Sequence, residues 1–250
     1  MISFIIPTLN EETTIEETLL LLLEYKGDYE IIISDGGSID KTLQIARKYT
    51  KNIVEYKEYH RQTIADGRNA GAFSSKGEYI VELDADTHIP DINYFFEVIL
   101  KEFKDNPKIV GATTWFKVYP KDETFLDNLI FSISGFFSLI MNNYFKLSST
   151  SGGEFQMMRA GAFREIGGYD KEIVSMEDNE MFSRLRTKGH IYFANDLYIY
   201  HSGRRAHILG WPYMIGQFIL NSFFLILFKK TANKVWKVVV QLTFRGDTFN

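Results

Sequence analysis

Cysteine is absent from the 250 residues, which excludes disulfides, thiolate metal sites and a cysteine nucleophile together and leaves the redox compartment open. No internal repeat, low-complexity run or long linker breaks the chain. Nor do aromatic and basic residues interleave as they do on nucleic-acid surfaces, so DNA and RNA are set aside as partners. The apolar start at residues 1–6 has no basic prelude and runs into Pro7, so a first strand is expected there, not a signal peptide. The composition, 45% hydrophobic and 24% charged, is that of an ordinary globular protein, and the length suits one α/β domain with or without an extension.

Charge is unevenly spread. From His201 onward seven basic residues (Arg204, Arg205, Lys229, Lys230, Lys234, Lys237 and Arg245) face Asp247 alone, so a tail near +6 follows a body near -10. Residues 208–228 carry no charge, although Pro212, Gly216, Gln217, Asn221 and Ser222 interrupt them. The uninterrupted part, 213–228, is shorter than the twenty or so residues a spanning helix needs. A helix lying in a membrane interface is expected, with its lysines at anionic headgroups; the alternative is packing on the protein's own body or on a second subunit of a homodimer.

Strand and helix patterns alternate over the first hundred residues with short connections, which predicts right-handed βαβ units and a mainly parallel sheet. Strands are expected at 2–6, 29–34, 52–56, 79–83, 109–119, 155–158 and 191–200. Helices are expected through Glu24 from a cap at Asn10-Glu11-Glu12, and through Tyr49 from Ser38 or Asp40. Further helices are expected at 62–76, 92–103, 160–166 and 177–188. In the apolar segment 129–147, Ser134, Ser138, Asn142 and Lys146 form a narrow polar stripe.

The aliphatic strand 79–83 runs into Asp84-Ala85-Asp86. On an extended backbone, carboxylates at i and i+2 point the same way and repel each other unless a cation lies between them. A hard divalent ion such as Mg2+ or Mn2+ meets that need, with substrate phosphates completing its shell. The alternative is a solvated turn or helix cap.

Several stretches together resemble the family 2 glycosyltransferases of the GT-A fold. They are Ile5-Ile6-Pro7-Thr8-Leu9-Asn10-Glu11-Glu12, Asp35-Gly36-Gly37-Ser38-Ile39-Asp40-Lys41-Thr42, Arg68-Asn69-Ala70-Gly71, Gly77-Glu78-Tyr79-Ile80 leading to Asp84-Ala85-Asp86, Gly167-Gly168-Tyr169-Asp170 and Glu177-Asp178. They fall in the family's order over roughly residues 2–190. The resemblance implies a GT-A domain at 1–205, with a nucleotide-sugar half at 1–110 and an acceptor half at 111–205, followed by an apolar, basic helical tail at 206–250. It implies that Pro7, Thr8, Glu11, Asp35 and Gly37 hold the nucleoside of a UDP- or GDP-sugar, and that Arg68 reaches its base or phosphates. Asp84 would contact the ribose or the metal, Ala85 would line the same site, and Asp86 would bind the metal with His201 or His88 as a further ligand. Arg204 and Arg205 would clamp the diphosphate.

On the acceptor side the resemblance points to Gly152, Gly153 and Glu154. Asp178 of the Glu177-Asp178 dyad would be the general base of an inverting displacement. Leu9 stands where the family often has an aromatic and Gly36 where it often has a second aspartate, so the nucleoside stays open. The Gln-x-x-Arg-Trp pattern of processive synthases is absent, which favours a single transfer per encounter. The acceptor is expected to be lipid-linked or otherwise amphiphilic, and the place the cytoplasm, peripheral on the cytoplasmic face of the membrane. A non-catalytic nucleotide-sugar or lipid-surface binding module is the alternative.

Overall fold

The computed structural model describes residues 1–57, 62–145 and 152–233. In chain order the elements are β1 (Ile2–Thr8), α1 (Ile15–Leu23), β2 (Tyr29–Asp35), α2 (Thr42–Ala46), β3 (Asn52–Glu55), α3 (Ile64–Ser74), β4 (Tyr79–Leu83), α4 (Ile92–Asp105) and β5 (Ile109–Val118). Then come α5 (Phe125–Leu139) with a π-helical turn (Ile140–Phe145), β6 (Phe155–Arg159), α6 (Ala160–Glu165), α7 (Glu177–Leu185), β7 (His190–His201), α8 (Arg204–Leu209) and α9 (Trp211–Phe228). The basic residues Lys234, Lys237 and Arg245 and the last member of the polar stripe, Lys146, lie outside the described residues.

The strands form one mixed sheet in the order β3-β2-β1-β4-β6-β5-β7, and β6 alone runs against its neighbours. Side chains alternate across the sheet, so each strand feeds two apolar layers. Phe4, Ile33 and Val81 pack under α1 and α4 with Leu22, Phe96 and Phe103, while Ile5, Ile32 and Ile80 pack under α3, α6 and α7 with Ala72, Phe163 and Phe182. Gly71 makes the second layer possible: a Cβ there would stand 2.4 Å from Ile5 Cγ2, so only glycine lets α3 lie so close on β1.

The direction of β6 has a consequence for function. Parallel β1, β2 and β4 all end at one edge, and reversed β6 begins there, so Gly153-Glu154 meets Asp84 at that edge, with Asp84 N–H donating to Glu154 O at 3.5 Å. Parallel β7 ends at the same edge with His201.

The structure corrects several element boundaries. Asn10-Glu11-Glu12 does not cap α1, which starts at Ile15 after Thr14. Their backbone N–H groups donate instead to side chains of the loop after β2: Asn10 to Ser38, Glu11 to Thr42 and Glu12 to Asp40. The second helix is one short turn, Thr42–Ala46, and Asp40 Oδ1 accepts from the N–H of its first residue, Thr42, at 2.9 Å, while Ser38 turns to Asp35. Thr63 and Asp66 form a capping box on α3. Gly210, with φ at 83°, separates α8 from α9, whereas Pro212 sits in the first turn of α9, where its missing N–H is no loss. A domain boundary between residues 205 and 206 falls inside α8, because Arg204–Leu209 is one helix.

Two helices turn the usual rule inside out. In α5 and its π-turn, Phe125, Ile133, Phe136, Phe137 and Phe145 are exposed while Asp127, Ser138 and Asn142 are buried. In α9, Ile219, Phe223, Ile226 and Leu227 are exposed while Asn221 is fully buried, accepting from the N–H groups of Ala232 and Asn233. Both are long and apolar enough to cross a membrane, over Phe125–Phe145 and Trp211–Phe228. Asp127 ties them together at its buried carboxylate: it caps α5 through Thr124, pairs with His207 Nε2 at 2.8 Å on α8 and accepts from Trp211 Nε1 at 2.7 Å on α9.

Candidate active site

The carboxylate pair sits on a turn and not on extended backbone. After β4 ends at Leu83, Thr87 N–H donates to Asp84 O at 3.1 Å, closing residues 84–87. Ala85 is buried in the core beneath, and Thr18 of α1 donates to the carbonyls of Ala85 and Thr87. Ala85 is therefore the anchor of the turn, not a lining residue, and its burial leaves Asp84 and Asp86 to project together over the sheet edge.

At the same edge, Thr8 and Asp35 end β1 and β2 in register, and Thr8 Oγ1 donates to Asp35 Oδ1 at 3.1 Å. Ser38 Oγ also donates to Oδ1, and the N–H groups of Gly37 and Ser38 donate to Oδ2, each at 2.9 Å. The lone pairs of Asp35 are thus committed to ordering its own loop, which Gly37 turns with φ at 93°. Pro7 packs one residue earlier on β1, opposite Ser34. Glu11 forms a two-pronged pair with Arg204, whose Nη1 lies 2.7 Å from Glu11 Oε2. Arg204 Nε is also 3.7 Å from Asp86 Oδ2, which accepts from Ser202 Oγ as well.

Arg68 is the centre of the cleft. Its side chain, 4% exposed, lies 3.4 Å from Glu82, 3.5 Å from Asp84 and 3.5 Å from Glu177, and donates to Gly153 O at 2.8 Å. Its guanidinium also lies over the Tyr169 ring at 5.6 Å, and Tyr169 Oη bonds to Glu82 and Gln156. This is neither a surface ion pair nor a side chain free to reach a base. Gly153 is small for a reason, since a Cβ would meet Arg68 Nη2 at 2.8 Å, and at Gly152 it would strike the Phe116 ring.

Asp84, Asp86, Glu154, Glu177 and Asp178 therefore share one cleft. Burial, first of all, raises the carboxyls of Asp84, Glu154 and Glu177 to about 7; Asp86 adds to the rise at Asp84, Asp178 to that at Glu154 and Glu177, and Arg68 opposes each. Burial raises Asp178 too. Met176, immediately before the dyad, holds a left-handed backbone (φ 62°) that a non-glycine residue adopts only under constraint, and so aims Glu177 and Asp178 into the cleft. Arg205 stands in the field of Asp84, Glu177 and Glu154, and burial lowers its pKa.

The two histidines part company. His88 gives its backbone: its N–H and C=O exchange bonds of 2.9 and 2.8 Å with Tyr200, which pins the end of β7 beside Asp86, while its ring lies against Tyr119 at 6.4 Å. His201 is buried edge-on against Phe131, with Nε2 unpaired, and Asp86 and Asp84 oppose the burial that lowers its pKa. Gly203 N–H donates to its Nδ1 at 3.3 Å, which favours the tautomer with the proton on Nε2.

No three His, Asp or Glu side chains among the described residues form a ready metal cage. An excess of buried carboxylate over guanidinium, with Asp86 adding to the cost of ionising Asp84, nonetheless suits Mg2+ or Mn2+ held by one or two carboxylates plus substrate phosphates. Sequence reasoning missed Glu82, Ser202 and the role of Tyr169. Glu82 had a signal, a lone carboxylate in the aliphatic strand Tyr79–Leu83; Ser202 had none.

The profile of Glycosyl transferase family 2 matches residues 3–167. The chain belongs to this family. Over 182 residues it is 29% identical to a poly-beta-1,6-N-acetyl-D-glucosamine synthase of Staphylococcus epidermidis, a match covering 70% of this chain and 43% of the synthase. The chain thus spans less than half of that relative. Among solved structures, a mannosyltransferase of Pyrobaculum calidifontis in complex with GDP-Man and Mn2+ superposes with a TM-score of 0.69 at 17% identity, covering 89% of this chain and 62% of the other. Staphylococcus aureus TarS 1-349 in complex with UDP-GlcNAc gives 0.61 at 21%, covering 80% and 57%. At these identities the two structures establish the GT-A fold.

Proposed function

We propose that this family 2 chain transfers a sugar, with inversion, from a nucleoside-diphosphate sugar to a hydroxyl or phosphate of a lipid-linked or other amphiphilic acceptor. One observation carries the reading: Arg68 touches Asp84 and Glu177 at 3.5 Å each, so the carboxylates of the donor side and the base helix border one cleft. The GDP-Man and UDP-GlcNAc complexes of the two fold relatives support the donor class.

Asp86 and Asp84 are the residues that would hold Mg2+ or Mn2+, which when bound supplies Lewis-acid neutralisation of the departing diphosphate. Arg204 and Arg205 are placed to take phosphate charge, and His201 to donate Nε2–H to an oxygen of that group. The loop ordered by Asp35 borders the nucleoside. Asp178 accepts the proton of the attacking hydroxyl, and Glu177, tied to Arg68, fixes the start of α7. Gly152, Gly153 and Glu154 border the acceptor.

The outward apolar faces of α5 and α9, with Lys229 and Lys230 at the end of α9, favour a membrane surface as the place of work, on the cytoplasmic side where nucleotide sugars are available. The deciding experiment incubates the protein with UDP- and GDP-sugars, Mn2+ and a polyprenyl-phosphate acceptor, then reads the anomeric configuration of the product by NMR. Inversion is expected; a product with retained configuration defeats the assignment.

A further inference from the structure

Two arginines in the cleft differ in how they are held. Arg68 is enclosed by strands and helices at 4% exposure, whereas Arg204, at 19%, opens α8 just beyond the end of β7. Arg204 nevertheless holds two carboxylates at once: Glu11, through both prongs of its guanidinium, and Asp86, at 3.7 Å from Nε. Ser202, from the same short segment, donates to the same Asp86 Oδ2. One pair of carboxylates cannot serve an arginine and an incoming cation at full strength together. A guanidinium leaves such a pair readily only for another two-pronged anion, and a diphosphate is one.

We infer that Arg204 is a built-in counter-cation, which keeps Glu11 and Asp86 closed to a divalent ion until a nucleoside diphosphate draws the guanidinium away. The inference rests on the proposed function, since it takes Asp86 as a metal residue and a nucleoside diphosphate as the donor's leaving group. Metal and nucleotide then bind cooperatively, because each removes the obstacle to the other, and linkage makes the effect reciprocal. Arg204 thereby couples the two events: the cation settles more tightly on a site that already holds its diphosphate, and the diphosphate on one that holds its cation.

The test is Mn2+ binding by the full chain, followed by electron paramagnetic resonance of the free ion, with and without UDP or GDP. For the wild type, the diphosphate is expected to strengthen Mn2+ binding by about tenfold or more, within the usual range of coupling between sites. Arg204→Gln is expected to bind Mn2+ alone about tenfold more tightly than the wild type, to bind the diphosphate alone more weakly, and to lose most of the coupling. Arg204→Lys, which keeps the charge but loses the fork, falls between them. Glu11→Gln, which frees Arg204 from its main partner, strengthens diphosphate binding.

If the wild type shows diphosphate-dependent Mn2+ binding but Arg204→Gln, folded by circular dichroism, gains no affinity for Mn2+ alone, the inference is wrong and the proposed function stands. If the wild type binds no Mn2+ with either diphosphate, both fall.

Discussion

Asn69 and Tyr169, one hundred residues apart, exchange two hydrogen bonds of 2.8 Å each: Asn69 Nδ2 donates to Tyr169 O, and Tyr169 N–H donates to Asn69 Oδ1. An amide side chain here replaces a strand partner. Gly168 has to be glycine for the exchange, since its φ is 73° and a Cβ would stand 2.3 Å from Asn69 Oδ1. The Arg68-Asn69-Ala70-Gly71 and Gly167-Gly168-Tyr169-Asp170 stretches are two halves of one clasp, which holds the segment after α6 onto α3.

Breaking the clasp costs stability. Asn69→Ala removes both bonds and leaves two buried backbone groups unpaired, a loss of about 3 kcal/mol. For a chain of this size that lowers Tm by about 6–12 °C, measurable by differential scanning calorimetry. A drop under about 2 °C means that the exchange contributes little.

Replacing the base separates chemistry from binding. Asp178→Asn lowers kcat by about a hundred- to ten-thousandfold, the usual range for a lost general base. Its affinity for the nucleotide stays near that of the wild type, because among the described residues Asp178 bonds within its own helix start, to Asn179. Near-normal turnover in single-turnover assays overturns the base assignment. Asp86→Asn lowers turnover by about a thousandfold, and added Mn2+ does not restore it.

Activity and stability respond to pH in opposite senses. Transfer needs ionised carboxylates, and in the free protein burial raises Asp84, Glu154 and Glu177 to about 7 and lifts Asp178 as well, so kcat/KM falls as pH drops below about 7. For folding, a carboxyl whose pKa is higher folded than unfolded contributes stability that is fully present below its unfolded value, 3.8 for Asp or 4.5 for Glu, and is lost as pH rises through about 7. Without nucleotide or metal, Tm is therefore expected to decline between about pH 5.5 and 8. A steady rise across that window contradicts the buried-carboxylate picture.

The outward apolar faces give a surface prediction. Serine at Ile133, Phe136, Phe223 and Ile226, which lie outside the core, reduces co-flotation with anionic liposomes while leaving transfer to a short, water-soluble acceptor nearly unchanged. Equal flotation of variant and wild type removes the membrane from the proposal.

Much of this protein was legible before folding was considered. Short, nearly continuous aliphatic runs place strands such as Tyr79–Leu83, and the alternation with helices implies a parallel sheet, because both features follow from neighbours in the chain. Asp84 and Asp86 stand out because charge ends an apolar run, and Glu177 and Asp178 stand out through the resemblance to the family. Local pattern failed where a partner lies far away in sequence. Asn10-Glu11-Glu12 has the composition of a helix cap, yet Ser38, Asp40 and Thr42 take its N–H groups.

The inverted faces of α5 and α9 show the same limit from the other side. Composition reveals that these helices are apolar, but their sense, polar residues inward around Asp127 and apolar ones outward, is set by what packs against them. The sequence by itself determined the family, the sheet and the acids. Only the tertiary structure decided that Arg68 joins Asp84 to Glu177, that Glu82 stands behind them, and that Arg204 holds Glu11 and Asp86. Burial and charge pairing depend on through-space distance, and distances between residues tens to hundreds of positions apart exist only once the chain has closed on itself.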